Sequence, residues 1–133
     1  MKDMIFKYPL NHIEIVLEAT FIGEDLAIYL YGGEKPHIGT VILAQPRPSL
    51  CNDGRMSATS SILNIVGHKD EFVCRKLAEK AATELRTNVV CTGGIHIDDI
   101  APAQIEQIIK GVDKLSAQMI QQIRFNNPTK SAN

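Results

Sequence analysis

Apolar and polar residues alternate with a period of two along residues 12–19 and again along residues 25–31. This alternation is typical of strands that bury one face, because successive side chains of a strand point to opposite sides of the sheet. Only the short segment Phe21-Ile22-Gly23-Glu24 separates the two runs. The pattern therefore predicts that the first two strands form a β-hairpin.

A third strand is predicted over residues 37–45, where the run Val41-Ile42-Leu43-Ala44 indicates burial on both faces and a central place in the sheet. A fourth strand is predicted near residues 57–66, which begin polar and end apolar. The segment between them, residues 46–54, contains two prolines and an Asn-Asp-Gly turn sequence. We therefore predict a loop for that segment.

The second half of the chain changes to a helical period. Apolar residues recur every three or four positions from Asp70 to Arg86 and from Pro102 to Ile123, and a short apolar strand over residues 88–92 lies between them. The resulting order is ββββαβα. We predict an α+β fold in which a five-stranded, mostly antiparallel sheet carries two helices on one face. Residues 1–125 then form a single domain, and residues 126–133 form a disordered tail.

Composition narrows the range of functions. The 133 residues are 44% hydrophobic and carry a formal net charge of -1, which gives no long-range attraction for nucleic acid or for an anionic membrane. No segment has the pattern of a signal peptide or of a membrane span. The three cysteines are odd in number and form no Cys-x-x-Cys pair, which is typical of a reducing compartment. We expect a cytoplasmic protein without nucleic-acid or membrane partners.

Three histidines lie next to glycines at predicted strand ends: His37, His68 and His96. The hairpin of the third and fourth strands places His37 and His68 at one end of the sheet. A right-handed crossover would make the strand at 88–92 run parallel to the strand at 57–66, which brings His96 to the same end. We therefore expect three imidazoles to converge beside the starts of both helices.

Imidazole and carboxylate groups are common metal ligands, and a metal site needs three or four of them. His37, His68, His96 and Asp98 are therefore candidate ligands for a divalent metal. The same histidines also fit turns or the segment that leads into a helix, so both interpretations stay open.

A second polar group combines Arg47 and Ser49 with Ser57 and Thr59. Guanidinium and hydroxyl groups suit phosphate or carboxylate, although a solvated loop explains the same residues. In the predicted hairpin this group lies about 30 Å from the histidines, at the usual rise per strand residue. One ligand can reach both groups only if the loop folds back or a second subunit supplies one of them. Two separate sites are equally allowed.

Six short motifs occur in order along the chain. They are Tyr31-Gly32-Gly33, Pro36-His37-Ile38-Gly39, Pro46-Arg47-Pro48-Ser49, Ser57-Ala58-Thr59-Ser60, Gly67-His68 and Gly94-Ile95-His96-Ile97-Asp98. Taken together they resemble one family, the small D-type accessory subunit of gallate and related hydroxyarylic acid decarboxylases, described as a prenylated-flavin chaperone. The likeness runs from about His12 to Ile123. The family is similar in architecture to proteasome-assembly-chaperone domains.

The resemblance implies a non-catalytic accessory protein, expected to be a homodimer. Such a protein would bind prenylated FMN, or FMN, as cargo and pass it to a large decarboxylase subunit. Matching the family's motifs to this sequence implies roles for two sets of residues. Arg47, Ser49, Ser57 and Thr59 are candidates for polar or phosphate contacts, and His37, His68, His96 and Asp98 for contacts to the cofactor or to a bridging metal.

Two other functions compete with this one. A small hydrolase could use the histidines and Asp98 around a divalent ion that activates water. An assembly scaffold without a small ligand would need the histidines only for structure.

Overall fold

The computed structural model describes residues 3–65 and 70–128, which form a six-stranded sheet and two helices. The strand order across the sheet is β1-β2-β3-β6-β4-β5. In chain order the elements are β1 (Met4–Leu10), β2 (Ile13–Ile22), β3 (Asp25–Gly33), β4 (Thr40–Pro48), β5 (Met56–Asn64), α1 (Glu71–Leu85), β6 (Val89–His96) and α2 (Pro102–Asn126).

The predicted α+β class, the mostly antiparallel sheet and the chain order after the first strand are confirmed. All neighbouring strands pair antiparallel except β3 and β6, which pair parallel. The predicted number of strands was wrong, because β1 adds a sixth at the edge of the sheet. Met4 of β1 is buried, and Phe6, Tyr8 and Leu10 pack against the core, so β1 has the alternation of a half-buried strand.

The segment Pro46-Arg47-Pro48 was predicted as loop but belongs to β4, where it pairs with Met56, Ser57 and Ala58. Pairing of β4 with β6 ends at Ala44. Beyond that residue no strand of the described structure pairs with this edge of β4, so prolines that lack an N–H donor are tolerated there.

Strand directions agree with the prediction that carried the histidine argument. Both β5 and β6 run antiparallel to β4, so β5 and β6 point the same way, with β4 between them. The strand predicted at 88–92 extends to His96 because it gains a full ladder with β3, from Leu26↔Val89 to Gly33↔His96.

Both helices pack on the same face of the sheet, α1 over β4, β5 and β6 and α2 over β1 and β2. The core between these layers is apolar, and its burial is the main source of stability. Its largest fully buried side chains include Leu17, Leu30, Ile42, Leu77 and Leu115.

The three cysteines lie where the sequence suggests. Cys74 and Cys91 are buried in the core and Cys51 is exposed in the β4–β5 loop. The pKa of the Cys91 thiol is raised well above its usual value by its hydrogen bond with Cys74 and by burial. Both core thiols therefore act as small apolar residues.

Two predictions fall outside the described residues. His68, with Gly67, lies in the gap between Ile65 and Asp70, and most of the predicted tail lies beyond Pro128. Within the described parts of the chain, neither helix is both long and apolar enough to cross a membrane.

Candidate cofactor cleft

The rings of His37 and His96 meet at one end of the sheet, as the strand directions predict. His37 lies just before β4, and His96 is the last residue of β6. Their ring centroids are 6.3 Å apart and their planes are inclined by 77°. Two of the three predicted imidazoles therefore converge in the described structure.

Asp70, the residue before α1, joins three elements at this end. One carboxylate oxygen, Oδ1, accepts the N–H of Ile95 in β6 at 2.9 Å, and the other, Oδ2, lies 2.9 Å from Nε2 of His37. The residue is only 8% exposed. Since a buried charge needs hydrogen-bonding partners, this carboxylate holds the segment before β4, the end of β6 and the start of α1 in one arrangement.

Both ring nitrogens of His37 lie next to oxygen atoms that accept hydrogen bonds. Its Nδ1 lies 3.0 Å from the carbonyl oxygen of Lys35, and its Nε2 faces the Asp70 carboxylate. These contacts fix the orientation of the ring beside the cleft described below.

Glycines beside the histidines leave room for His37 and Asp70. A methyl group on Gly39 would overlap Oδ2 of Asp70, and one on Gly94 would lie 2.6 Å from Nε2 of His37. The expectation was that glycine lets the backbone approach a ligand. At these two positions it is the His37–Asp70 pair that needs the space.

His96 has a carboxylate partner of its own. Its Nε2 lies 2.9 Å from Oδ1 of Asp98, and the Asp98 N–H donates to Oε1 of Glu34 at 2.9 Å. The hydrogen bond from His96 and, to a smaller extent, the nearby Lys35 ammonium lower the pKa of Asp98 below its usual value. Asp98 is therefore an anion that orients the ring of His96 at the surface.

An apolar cleft of about 330 Å³ opens directly beside these histidines. It lies between the start of α1, the end of β6 and the start of α2. His37, Asp70 and His96 provide its polar groups, and eight apolar side chains form the rest of the wall. These are Phe72, Val73, Ile95, Ile97, Ile100, Ile105, Ile108 and Ile109. We call it the isoleucine cleft.

The predicted divalent-metal site receives no support from the described residues. Within 3–65 and 70–128, no group of three or more His, Cys, Asp or Glu side chains is arranged to hold a metal ion. The Nε2 atoms of His37 and His96 each face a carboxylate instead of each other. The fourth candidate ligand, His68, lies outside the described residues.

The second predicted group is brought together only in part. Nε of Arg47 donates to Oγ1 of Thr59 at 2.7 Å, and Ser57 lies directly opposite Arg47 across the strand pair. Ser49 lies in the turn beyond β4, where its hydroxyl oxygen accepts the N–H of Cys51 at 3.2 Å. Arg47, Ser57 and Thr59 therefore form one cluster, and Ser49 belongs to the adjoining turn.

The two predicted groups lie at opposite ends of β4, as expected. His37 precedes Thr40 at one end of the strand, and Arg47 is next to the last residue at the other. At about 3.3 Å per residue, the strand separates them by roughly 25 Å. Within one subunit, no contact joins the imidazoles to the Arg47 cluster in the described structure.

Sequence reasoning missed Asp70 and the apolar wall. Asp70 was used in the sequence analysis only as the start of a helix. An aspartate at the histidine end of the sheet could also have been predicted to contact an imidazole. Ile105, at the start of α2, belongs to the apolar stripe that the helical period predicts to face the core. Ile105 is in fact 45% exposed and lines the cleft.

Comparison with known proteins decides the family. Residues 10–124 match the family model described as the prenylated flavin chaperone LpdD-like domain. The chain belongs to this family. It is 34% identical over 105 residues to Protein LpdD of Lactiplantibacillus plantarum, which corresponds to 74% of this chain and 69% of that protein.

Among solved structures, the chain is similar to a protein in the crystal structure of a chaperone complex for yeast 20S proteasome assembly. The TM-score is 0.48 with 11% identity, over 87% of this chain and 99% of the other. The LpdD-like assignment rests on the family model and on Protein LpdD, and it supports a prenylated-flavin chaperone role.

Proposed function

We propose that this LpdD-like chain binds prenylated FMN with its ring system in the isoleucine cleft. It then passes the cofactor to a hydroxyarylic acid decarboxylase of the gallate type, in the cytoplasm. The proposal rests on one observation: a single cleft combines an apolar wall with two ordered imidazole rings.

The residues present fit such a cargo. A flavin extended by an isoprenoid ring offers a flat, largely apolar ring system with polar edges, and its ribityl phosphate tail is strongly polar. Ligand sites are commonly of several hundred Å³ and mostly apolar, with a few polar groups that fix orientation. Phe72, Ile105 and Ile108 would hold the rings, and His96 with the His37–Asp70 pair would face their polar edge.

A binding titration with matched variants tests the cleft. FMN and prenylated FMN are titrated anaerobically into the protein and followed by flavin fluorescence. Ile105→Gln places a polar group in the cleft wall at a position that is already 45% exposed, so folding is retained. Removing roughly 1.5 kcal/mol of apolar contact weakens binding about tenfold.

Ile22→Gln is the control, since Ile22 is 67% exposed and does not line the cleft. It should leave affinity unchanged. Equal affinities for wild type and Ile105→Gln, or equal losses in both variants, would place the rings elsewhere.

Delivery is tested separately from binding. The loaded chain is mixed with an apo-decarboxylase of the gallate type, and decarboxylation is compared with that restored by free prenylated FMN at the same concentration. Faster or more complete activation by the loaded chain supports delivery. Activation no better than with free cofactor would leave the protein as a binder with no role in transfer.

We further propose a homodimer, which allows the Arg47 cluster to contact the same cargo from a second copy. Along β4 the helix-facing residues Ile42 and Ala44 are buried, whereas Leu43 and Gln45 on the other face are exposed. Arg47 follows Leu43 and Gln45 at two-residue intervals, so it lies on the same uncovered face.

Apolar side chains on the uncovered face support its pairing with a second copy. Tyr29, Leu43 and Leu63 are 46%, 42% and 74% exposed. Light scattering after gel filtration tests this, with Leu63→Lys on the face and Leu50→Lys in the hairpin turn as control, where Leu50 is 86% exposed. The first variant should be monomeric and the second dimeric. A monomeric wild type would exclude shared binding.

A further inference from the structure

Four of the five arginines of the chain gather at the end opposite the isoleucine cleft. Arg47 lies on the uncovered sheet face there. Arg55, Arg86 and Arg124 come from the β4–β5 loop, the residue after α1 and the last turn of α2. The fifth, Arg75, lies in α1 and pairs with Glu71. This end of the molecule thus holds most of the arginines of the chain.

Three of these arginines line a cleft of about 450 Å³ between the β4–β5 loop and the ends of both helices. We call it the arginine cleft. The other lining residues are Gly54, Met56, Thr83 and Glu84. Three guanidinium groups therefore face a single carboxylate, so the lining carries an excess of positive charge.

Glu84 is already engaged by one of the three. Nη1 of Arg124 lies 3.4 Å from Oε1 of Glu84, and Nη2 donates to the Glu84 carbonyl oxygen at 3.2 Å. Arg124 thereby caps the end of α1, where free carbonyls carry partial negative charge. Its Nε is buried and has no acceptor among the described residues.

The charges of Arg55 and Arg86 remain available. Arg55 has an 83% exposed side chain and only a loose pair with Asp53, at 3.5 Å. Exposed pairs of this kind contribute little and are readily exchanged for another anion. The Arg86 guanidinium has no ion pair or hydrogen bond within residues 3–65 and 70–128. Its backbone has a φ of 54°, a conformation that glycine adopts more easily.

We propose that the arginine cleft is a binding site for a phosphate monoester or inorganic phosphate. Guanidinium forks match the geometry of phosphate oxygens, and the Thr83 hydroxyl supplies a further donor. The inference does not depend on the isoleucine cleft, which lies at the other end of the sheet.

Inorganic phosphate is the first probe. It is titrated into the ¹⁵N-labelled full chain, and the amide shifts of Gly54, Thr83 and Arg86 are followed at constant ionic strength, with sulfate-free buffer. Saturable shifts at these amides are expected. Arg86→Gln and Arg55→Gln each remove a charged donor, so each weakens binding about tenfold.

Two arginine variants act as controls. Arg75→Gln removes a positive charge from the middle of α1 and should leave phosphate affinity unchanged. Arg47→Gln tests whether the Arg47 cluster is the site instead. The proposal is overturned if phosphate causes no saturable shift, if Arg86→Gln binds as wild type does, or if Arg47→Gln alone removes binding.

A further variant separates binding from a structural role of Arg86. Arg86→Gly relieves the left-handed backbone, so it should unfold at the same or a higher urea concentration while phosphate affinity falls about tenfold. If Arg86 served only the fold, this variant would lose stability and keep its phosphate shifts.

FMN and riboflavin then identify the source of the phosphate. They share the ring system, but only FMN carries a phosphate. Displacement of phosphate by FMN and not by riboflavin supports the site and assigns it to a flavin phosphate. No displacement by either supports the site and assigns it to another phosphate compound. Displacement by riboflavin would overturn the proposal, because the cleft would then recognise the rings.

Discussion

Replacing Asp70 by alanine tests whether one carboxylate organises the histidine end of the fold. The carboxylate accepts the backbone N–H of Ile95, lies 2.9 Å from Nε2 of His37, and is 8% exposed. Its removal takes away the acceptor of the Ile95 amide and the contact to Nε2 of His37. Each hydrogen bond to a charged group is worth about 1.5–3 kcal/mol, so we expect a loss of about 3 kcal/mol in unfolding free energy.

The measurement is urea unfolding followed by circular dichroism. Stabilities are compared between variants whose unfolding free energy depends on urea concentration with the same slope. Asp70→Asn keeps an oxygen for the Ile95 amide but loses the charge, so it should cost about half as much. Asp99→Asn is the control. Asp99 lies at the same end, is exposed and has a φ of 50°, which asparagine tolerates, so its change should stay within about 0.5 kcal/mol.

A double-mutant cycle isolates the interaction between His37 and Asp70. If His37 and Asp70 interact as the distances indicate, His37→Ala and Asp70→Ala together cost less than the sum of the single changes, by about 1.5 kcal/mol. Additive losses, or a loss below about 0.5 kcal/mol in Asp70→Ala, would refute this account of the site.

Three further predictions concern neighbouring contacts. Gly94→Ala places a methyl group 2.6 Å from Nε2 of His37, so urea unfolding should show a loss of about 1–3 kcal/mol. The pKa of Asp98 lies below its usual 3.8, so its contact with His96 persists above that pH and is lost as the pH falls through the lowered value. An NMR titration of the Asp98 carboxyl should show this lowered midpoint. In His96→Ala the midpoint should return towards 3.8. The Tyr31 hydroxyl donates to Glu18, and the pKa of Tyr31 is raised above 10.0. This hydrogen bond is therefore lost only as the pH rises through the raised value. In Glu18→Gln the midpoint of an ultraviolet titration of Tyr31 should return towards 10.0.

Periodicity predicted most of the architecture because each buried face leaves a regular trace in the sequence. It placed β2, β3 and both helices close to their observed bounds. Two strand segments were missed, and both contain proline. Residues 4–10 and 46–48 contain prolines that usually exclude a strand, yet Pro9 lies in an edge strand and Pro46 faces an unpaired edge. Edge position is a property of the assembled sheet and cannot be deduced from a single segment.

The site was predicted in outline and not in its contacts. Strand directions were enough to bring His37 and His96 to one end. They could not show that each ring faces its own carboxylate, because Asp70 is 33 residues from His37 in sequence. The isoleucine cleft was hidden for a similar reason. Ile105 follows the same helical stripe as the core residues, but it is 45% exposed and lines the open cleft.

The location of the cysteines makes the native chain ready for site-specific labelling. Cys51 is exposed at the hairpin turn, whereas Cys74 and Cys91 are enclosed in the core. Because Cys91 also has a raised pKa, a maleimide dye at neutral pH should react at Cys51 alone. A fluorophore attached there would report, without any mutation, the approach of a partner enzyme to the arginine-rich end of the molecule.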